Sequence, residues 1–218
     1  MFWYIITVKY LVVRNMNIIF HESVSSTNDC LLELLNIDPQ LPNNTVIIAK
    51  TQTAGKGRQG RSWISPPGNI YLSLYWQFTG NLDKLYGLSL VVGIAIARVL
   101  TAYGAPEIKL KWPNDIFWRQ YKLGGILIET KPGKNNIINA IIGIGLNIKE
   151  VNNYQDQVTQ DCIGLETILN QTIDNQALIA KLLFELNIIL TKFAQHGFEA
   201  FVDEWSLWAM HTDQRLLN

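Results

Sequence analysis

The segment most suggestive of chemistry is a glycine-rich basic loop at residues 53–63, TAGKGRQGRSW. Three glycines and three cations fall within seven positions of it: Gly55, Lys56, Gly57, Arg58, Gly60 and Arg61. Exposed backbone N–H groups beside positive charge suit a phosphate or a carboxylate. The same composition is also typical of a flexible surface hairpin, and composition alone leaves both interpretations open.

Two familiar nucleotide-binding motifs match this loop only in part. Gly55, Gly57 and Gly60 have the dinucleotide-binding spacing, and residues 55–62 come close to a P-loop. Both motifs need a helix to follow directly. Here two prolines and a predicted strand follow instead, so we exclude both.

Two other segments place polar groups or glycines at the ends of predicted strands. The turn KWPND leaves one strand and KLGG enters the next, which brings an amide, a carboxylate and two lysines to one end of the sheet: Asn114, Asp115, Lys111 and Lys122. Functional sites often gather at such ends, although a plain β-turn would look similar. In GIGLN, Gly143 and Gly145 interrupt an apolar strand, which indicates a bulge or a close approach by another backbone or a ligand.

The apolar patterning predicts a mixed α+β domain with helices packed against a largely antiparallel sheet. Strands are predicted at residues 17–20, 45–50, 69–78, 107–112, 122–130 and 136–148. Helices are predicted at residues 30–36, 82–103, 174–195 and 198–209. Ser26 and Asp29 could form a capping box for the first helix, and Gly104 suits the position just after the second. Strand 69–78 alternates like a half-buried strand.

Composition excludes several classes of protein. Apolar residues make up 48% of the 218 residues and charged residues 17%, so a sizeable core is expected and disorder is not. The 18 basic residues balance the 18 acidic ones, which argues against non-specific nucleic-acid binding. The apolar N-terminal stretch, broken by Lys9, is too short to span a bilayer, so we expect no membrane partner.

The cysteines and histidines indicate no metal site of their own. Cys30 and Cys162 share no motif, and the three histidines are scattered: His21, His196 and His211. Two unpaired cysteines in a chain of this length are ordinary cytoplasmic usage, so we expect free thiols and a cytoplasmic protein.

Taken together, these motifs resemble the biotin–protein ligases. The matching pieces, in order, are Ser26-Thr27-Asn28, Gln52 with GKGRQGRSW, KWPNDI with Lys122 in KLGGIL, and GIGLN. They extend over nearly the whole chain. The resemblance implies an α+β ligase domain that makes biotinyl-5′-AMP from biotin and ATP with Mg²⁺. It also implies transfer of biotin to a lysine of a carboxyl-carrier protein, the activity of a biotin–[acetyl-CoA-carboxylase] ligase.

The resemblance also implies roles for individual positions. Biotin would be bound by Ser26, Thr27, Asn28, Gln52, Gly55, Lys56, Gly57, Arg58, Lys122, Gly125 and Gly143. The nucleotide would be bound by Arg61, Trp63, Lys111, Asn114, Asp115 and Asn147. The catalytic residues would be Arg58, Lys122 and Asp115, with Asp115 also holding Mg²⁺. For Trp63 packing is expected rather than catalysis, and apolar walls could come from Ile126, Ile128, Ile142 and Ile144.

The resemblance further suggests how the chain is divided. We expect residues 1–15 to be an N-terminal extension, 16–213 the catalytic domain, and 214–218 the start of the small C-terminal β-barrel of bacterial members. Nothing resembles the DNA-binding helix-turn-helix of some members, so no DNA partner is expected. An exposed sheet edge could support a homodimer. One departure is Lys56, where the family more often has arginine.

Two alternatives remain open. A lipoate–protein ligase or octanoyltransferase is related in fold, and a small-molecule binding screen would discriminate it. A biotin-binding or acceptor-binding protein without turnover is the other, since the expected C-terminal barrel is not present in these 218 residues.

Overall fold

The computed structural model describes residues 7–8, 11–12, 16–150 and 160–210. The strands are β1 Thr7–Val8, β2 Leu11–Val12, β3 Asn17–Val24, β4 Thr45–Gln52, β5 Ile70–Thr79, β6 Ile108–Lys111, β7 Asp115–Trp118, β8 Tyr121–Pro132 and β9 Ile137–Leu146. The helices are α1 Thr27–Ile37, α2 Leu88–Ala102, α3 Leu165–Leu169, α4 Asn175–His196 and α5 Val202–Trp208.

The main sheet has seven strands in the order β3-β4-β5-β9-β8-β7-β6. Only β3 and β4 run parallel, and every other neighbouring pair in this sheet is antiparallel. Strands β1 and β2 form a separate antiparallel pair. The predicted fold class, a mixed and largely antiparallel sheet packed by helices, is confirmed.

Helices cover both faces of this sheet. Side chains of α2 and α4 pack on one face, against alternate residues of β4, β5, β8 and β9. Leu31 and Leu35 of α1 pack on the other face against Ile47, Tyr75 and Ile141. Strand β5 is therefore buried on both sides over seven consecutive residues, and the prediction of a half-buried strand is wrong.

The predicted elements differ from the structure in other places as well. The helix expected at 82–103 is split, because a 3₁₀ turn at Leu82–Leu85 ends before Gly87, and Gly87 adopts a left-handed φ of 80° ahead of α2. Sequence patterning missed β7 and α3, which are only four and five residues long. Gly104 does follow the end of α2, with φ 96°.

Parts of the expected domain division lie outside the described residues. These are residues 214–218 and most of 1–15, so both boundaries stay predictions. One described helical stretch, residues 82–102, is long and apolar enough to cross a bilayer, but 61% of its most apolar 18-residue segment is buried inside the protein. That burial is typical of a core helix.

One ion-pair network ties three helices together. Arg98 of α2 donates to both carboxylate oxygens of Glu204 on α5, at 2.6 and 2.5 Å, and to Glu185 on α4 at 2.6 Å. Each of the three side chains is about two-thirds buried or more. The Arg98 guanidinium holds the pKa of the Glu204 carboxyl below its usual range.

We expect Arg98→Gln to lower the free energy of unfolding by about 1–3 kcal/mol at pH 7, because it leaves two largely buried carboxylates without their partner. Urea denaturation would measure this. Folding lowers the pKa of the Glu204 carboxyl. The contribution of this carboxylate to the free energy of unfolding is therefore fully present above the unfolded-state pKa of about 4.3, and it is lost as the pH falls through the folded-state pKa. The deficit of the variant should therefore shrink in acid.

The matched control is Arg119→Gln, since Arg119 pairs with Glu107 on the surface and both side chains are about half exposed. Solvent screens that pair, and no measurable change is expected. Equal destabilisation by the two substitutions would contradict a structural role for the Arg98 network.

Candidate active site

The site lies on the face of the sheet that carries α1, where two cross-strand rows contain three glycines between them. One row runs Asp115–Gly125–Gly145–Tyr71 across β7, β8, β9 and β5, and the other runs Leu127–Gly143–Ser73–Ile47 across β8, β9, β5 and β4. Glycines leave this part of the sheet without side chains. Other segments of the chain can therefore lie directly against the backbone.

The first polar cluster forms where β4 ends and α1 begins. Gln52 Oε1 accepts hydrogen bonds from the backbone N–H of Thr27 at 2.9 Å and from its hydroxyl at 3.1 Å. Gln52 Nε2 donates to Ser65 Oγ at 2.9 Å. Ser26, Thr27 and Asn28 are each at most 4% exposed. This end of the site is therefore a buried group of hydrogen-bonding side chains.

Ser26 is the N-cap of α1 as predicted, but the predicted capping box does not form. The Ser26 side chain makes no capping hydrogen bond. The Asp29 carboxylate instead pairs with Lys56 of the glycine-rich loop. The first turn of α1 is thus tied to that loop.

Two residues that sequence analysis missed hold the Asn28 amide. Asn28 Nδ2 donates to Glu129 Oε2 at 2.7 Å, and the Ser73 hydroxyl lies 2.5 Å from Asn28 Oδ1. A Cβ at Gly143 would lie 2.4 Å from that same Oδ1. A polar residue in the apolar run of β5 and a carboxylate on β8 were the available signals, and neither belongs to a recognisable motif.

The glycine-rich loop folds back on itself as a hairpin and covers the site. The backbones of Lys56 and Ser62 form an antiparallel β-bridge, and the backbone N–H of Trp63 donates to Gly55 O at 2.8 Å. A tight turn at Arg58–Gly60 forms the tip, where Gln59 has a left-handed φ of 58°. The loop therefore has the hairpin shape that one of the two interpretations of its composition expected. It also lines a cavity on this face of the sheet.

Trp63 anchors the far end of the loop on the sheet. A Cβ at Gly145 would lie 2.6 Å from the Trp63 indole, and one at Gly125 would lie 3.0 Å from it. Lys122 Nζ lies 5.4 Å from the ring centroid. The indole Nε1 is buried and has no hydrogen-bond partner among the described residues, so a bound molecule could supply one. Gly143 and Gly145 thus permit close approach by side chains, while the pairing of β9 is regular there.

The second polar cluster lies at the other end, on β7, β8 and β9. Lys122 Nζ and Asp115 Oδ1 are 2.8 Å apart, and both side chains are more than four-fifths buried. Asn114 Nδ2 donates to Ile126 O at 2.7 Å. Asn147 lies 4% exposed beside them, its amide donating weakly to Lys122 O at 3.4 Å. The turn before β7 contains a cis peptide bond between Trp112 and Pro113.

A cavity of about 410 Å³ joins the two clusters. Its lining includes the predicted site residues Ser26, Thr27, Asn28, Gln52, Lys56, Gly57, Arg58, Arg61, Trp63, Asn114, Asp115, Lys122, Gly125, Gly143 and Asn147. Of the four isoleucines predicted as walls, Ile126 and Ile144 line it, whereas Ile128 and Ile142 do not. The volume suits a small molecule.

Two of the residues predicted to bind biotin or the nucleotide do not line this cavity. Gly55 is packed behind the loop, where a Cβ would lie 2.4 Å from Trp63 O. Lys111 precedes the turn, and its Nζ lies over the Phe117 ring at 5.3 Å. A direct contact between Lys111 and a ligand in the cavity is therefore a prediction that the geometry does not favour.

The thiols are free, as expected, and one of them lines the cavity. Cys30 and Cys162 are both partly buried and unpaired. Cys162 lies at the cavity wall, and burial raises the pKa of its thiol, so the group is a neutral thiol at pH 7. Among the described residues no group of three or more His, Cys, Asp or Glu is placed to hold a metal ion.

The chain matches the Biotin/lipoate A/B protein ligase family over residues 20–147. It is 37% identical over 183 residues to the bifunctional ligase/repressor BirA of Salmonella typhimurium, which covers 84% of this chain and 56% of that protein. Its structure is similar to that of the biotin protein ligase from Aquifex aeolicus in complex with biotin and ATP, with a TM-score of 0.73 and 27% identity over 88% of this chain and 78% of the other. The biotin protein ligase from Leishmania major in complex with biotin aligns with a TM-score of 0.70 and 25% identity, over 90% and 84%.

The family match covers more than half of the chain, so the chain belongs to the biotin/lipoate A/B protein ligase family. The resemblance stated from the motifs is confirmed. The chain spans little more than half the length of the curated relatives it matches.

We expect Gly143→Ala to lower the free energy of unfolding by about 1–3 kcal/mol, because the new methyl would overlap Asn28 Oδ1. Thermal or urea denaturation of the purified variant would measure the loss. The specific cause is testable by a double-mutant cycle with Asn28→Ala. If the clash is with Asn28, adding Gly143→Ala to that background costs much less; strictly additive losses would show that the clash lies elsewhere.

Proposed function

We propose that the chain is a biotin–protein ligase, which joins biotin to ATP as biotinyl-5′-AMP and then passes biotin to a lysine of a carboxyl-carrier protein. The observation that carries this proposal is a cavity with a buried polar cluster at one end and a lysine–carboxylate pair at the other. The named relatives support it, since two of the solved neighbours are complexes of biotin protein ligases with biotin.

The polar cluster suits the ureido ring of biotin. Thr27, Asn28 and Gln52 offer hydroxyl and amide groups that can both donate and accept, as an ureido group requires. Apolar groups at Trp63 and Leu127 line the cavity on this face and suit the thiophane ring and the aliphatic tail. Biotin in this orientation directs its carboxylate toward Lys122.

The opposite end suits the nucleotide. Asn114, Asp115 and Asn147 face the cavity there, and Arg58 and Arg61 of the loop line it from the other side. Trp63 offers an indole face and an N–H that has no hydrogen-bond partner among the described residues. The Asp115 carboxylate and the Asn147 amide offer oxygen ligands of the kind that Mg²⁺ binds together with substrate phosphates. Bound there, Mg²⁺ would neutralise charge developing on the phosphates.

The proposed chemistry needs this concentration of positive charge. A biotin carboxylate oxygen attacks the α-phosphorus of ATP, and pyrophosphate leaves with the bonding electrons. The two anions repel by about 4 kcal/mol per unit-charge pair at 4 Å and an effective dielectric near 20. Lys56, Arg58 and Lys122 line the cavity, and in the proposed step their charges offset this repulsion and stabilise the leaving group.

In the second step an acceptor lysine amine attacks the acyl carbon, the bond to phosphate oxygen breaks, and AMP leaves. The mixed anhydride must be kept from water until then, and a hairpin folded over the cavity serves that purpose. The acceptor protein, a cytoplasmic location and a homodimer stay proposals, and no DNA or membrane partner is proposed.

A lipoate–protein ligase or octanoyltransferase shares the family and is the second candidate. A dithiolane ring or an alkyl chain has no N–H or C=O groups to match the hydrogen-bonding side chains of Thr27, Asn28 and Gln52 at this end of the cavity, which supports biotin. ATP–pyrophosphate exchange measured in turn with biotin, lipoate and octanoate tests the choice. We expect exchange with biotin; exchange only with lipoate or octanoate would overturn the proposal, and binding of biotin without exchange would indicate a protein that does not turn over.

We expect Lys122→Ala to reduce biotin-dependent exchange by about 10²–10³-fold, or about 3 kcal/mol, in line with the loss of one preorganised donor to the reacting anions. The control is Lys134→Ala, which removes an exposed lysine from the turn between β8 and β9. That variant should match the wild-type rate. A Lys122→Ala rate within a few-fold of wild type would remove Lys122 from the catalytic residues.

A further inference from the structure

The first polar cluster contains a chain of hydrogen bonds that begins outside the cavity, at Glu129. Asn28 Nδ2 donates to Glu129 Oε2 at 2.7 Å and to Leu127 O at 3.4 Å. A carboxylate and a backbone carbonyl only accept, so the two N–H groups of the Asn28 amide are both used on β8. The amide oxygen, Asn28 Oδ1, then lies on the side of Ser73 on β5. The orientation of this amide is therefore fixed by its partners on β8.

The hydroxyl groups of the cluster continue the same direction. Ser73 Oγ lies 2.5 Å from Asn28 Oδ1, and because an amide oxygen only accepts, Ser73 donates its proton there. Thr27 Oγ1 lies 2.7 Å from Ser73 Oγ and 3.1 Å from Gln52 Oε1. Gln52 Oε1 is itself fixed as an acceptor by the backbone N–H of Thr27. Thr27 Oγ1 therefore receives no proton from either neighbour, and its lone pairs are left to accept.

A bound molecule that makes further hydrogen bonds to Thr27 Oγ1 or Asn28 Oδ1 must supply the donors. Both residues line the cavity. The N–H groups of a ureido ring are such donors, whereas a ring oxygen in their place would face a lone pair. Gln52 Nε2 uses one of its two protons on Ser65, and the second can be donated to the ureido oxygen. The cluster thus matches a cyclic urea in the direction of each hydrogen bond.

We propose that Glu129 is a positioning residue that determines specificity for the ureido N–H groups, because it holds the Asn28 amide in the orientation that offers biotin an acceptor. The inference rests on the proposed function. Turned over, the amide would offer biotin a donor instead and would bring Asn28 Oδ1 against the Glu129 carboxylate and Leu127 O. Glu129 does not line the 410 Å³ cavity, so it acts through Asn28.

The test measures binding of biotin and of two cyclic carbamate analogues, in each of which a ring oxygen replaces one ureido N–H. Calorimetric titration of wild type and Glu129→Met gives the ratio of each analogue's Kd to that of biotin. We expect at least one analogue to bind wild type about 10²-fold more weakly than biotin, because an acceptor then faces an acceptor. In Glu129→Met the Asn28 amide can turn, so that ratio should fall about tenfold and the Kd of biotin should rise about tenfold.

Glu129→Gln separates the hydrogen bond from the charge, since Glu129 is also an electrostatic neighbour of Lys56 on the loop. The glutamine oxygen can accept from Asn28 Nδ2, so this variant should restore the wild-type ratio. The matched control is Glu22→Met on β3, where Glu22 pairs with Lys50 and both side chains are more than two-thirds exposed. Its ratio and its Kd for biotin should equal those of wild type. Glu129→Ala serves if Glu129→Met does not fold.

A positioning role changes binding and leaves the reacting atoms unaffected. Glu129→Met should therefore raise the KM for biotin in pyrophosphate exchange about tenfold while kcat stays within about twofold of wild type. An unchanged ratio in a folded Glu129→Met or Glu129→Ala variant would overturn the inference. So would a Glu129→Gln ratio equal to that of Glu129→Met, or wild type that binds both analogues as tightly as biotin.

Failure of the inference is distinguishable from failure of the proposed function. Biotin-dependent pyrophosphate exchange by wild type reports the proposed function alone. Exchange with an unchanged ratio rejects only the role of Glu129, whereas wild type that binds no biotin rejects both.

Discussion

The site depends on close contact between side chains and bare backbone on one face of the sheet. Asn28 and Trp63 occupy the space that side chains at positions 143 and 145 would take, with separations of 2.4 and 2.6 Å from an added Cβ. A single methyl at either place would displace one of them. Asn28 belongs to the first polar cluster and Trp63 anchors the hairpin. The positions of side chains at both ends of the cavity therefore require glycine at positions 143 and 145.

This arrangement weakens the strands that carry it, and the opposite face compensates. Glycine in a strand costs conformational entropy and contributes no packing. On the other side of β8 and β9, Ile126 and Ile144 are 3% exposed and join the large core under α2 and α4. Strand β9 is also paired with β5 along its full length and with β8 over residues 138–146. The sheet can therefore present an almost bare surface to a ligand while remaining deeply buried in the molecule.

Much of the fold and most of the site could be predicted from the sequence, and the misses have physical causes. Long elements with strong apolar periodicity, such as α4 and β9, were found because their patterns are repeated many times. Strand β7 was missed because four residues are too few to show a period. Ser73 and Glu129 were missed because their importance comes from pairing with Asn28 across the sheet, at separations of 45 and 101 residues. Lys111 was included for its motif, but its side chain lies over Phe117.

The central claim is that one cavity holds biotin with its ureido ring at Thr27, Asn28 and Gln52 and its carboxylate at Lys122. The most direct test is a crystal structure of the chain with biotin bound. The account predicts ureido nitrogen or oxygen atoms within about 2.7–3.2 Å of polar atoms of the first cluster and a carboxylate oxygen at hydrogen-bonding distance from Lys122 Nζ. Biotin bound in the reverse orientation, or outside this cavity, would contradict it.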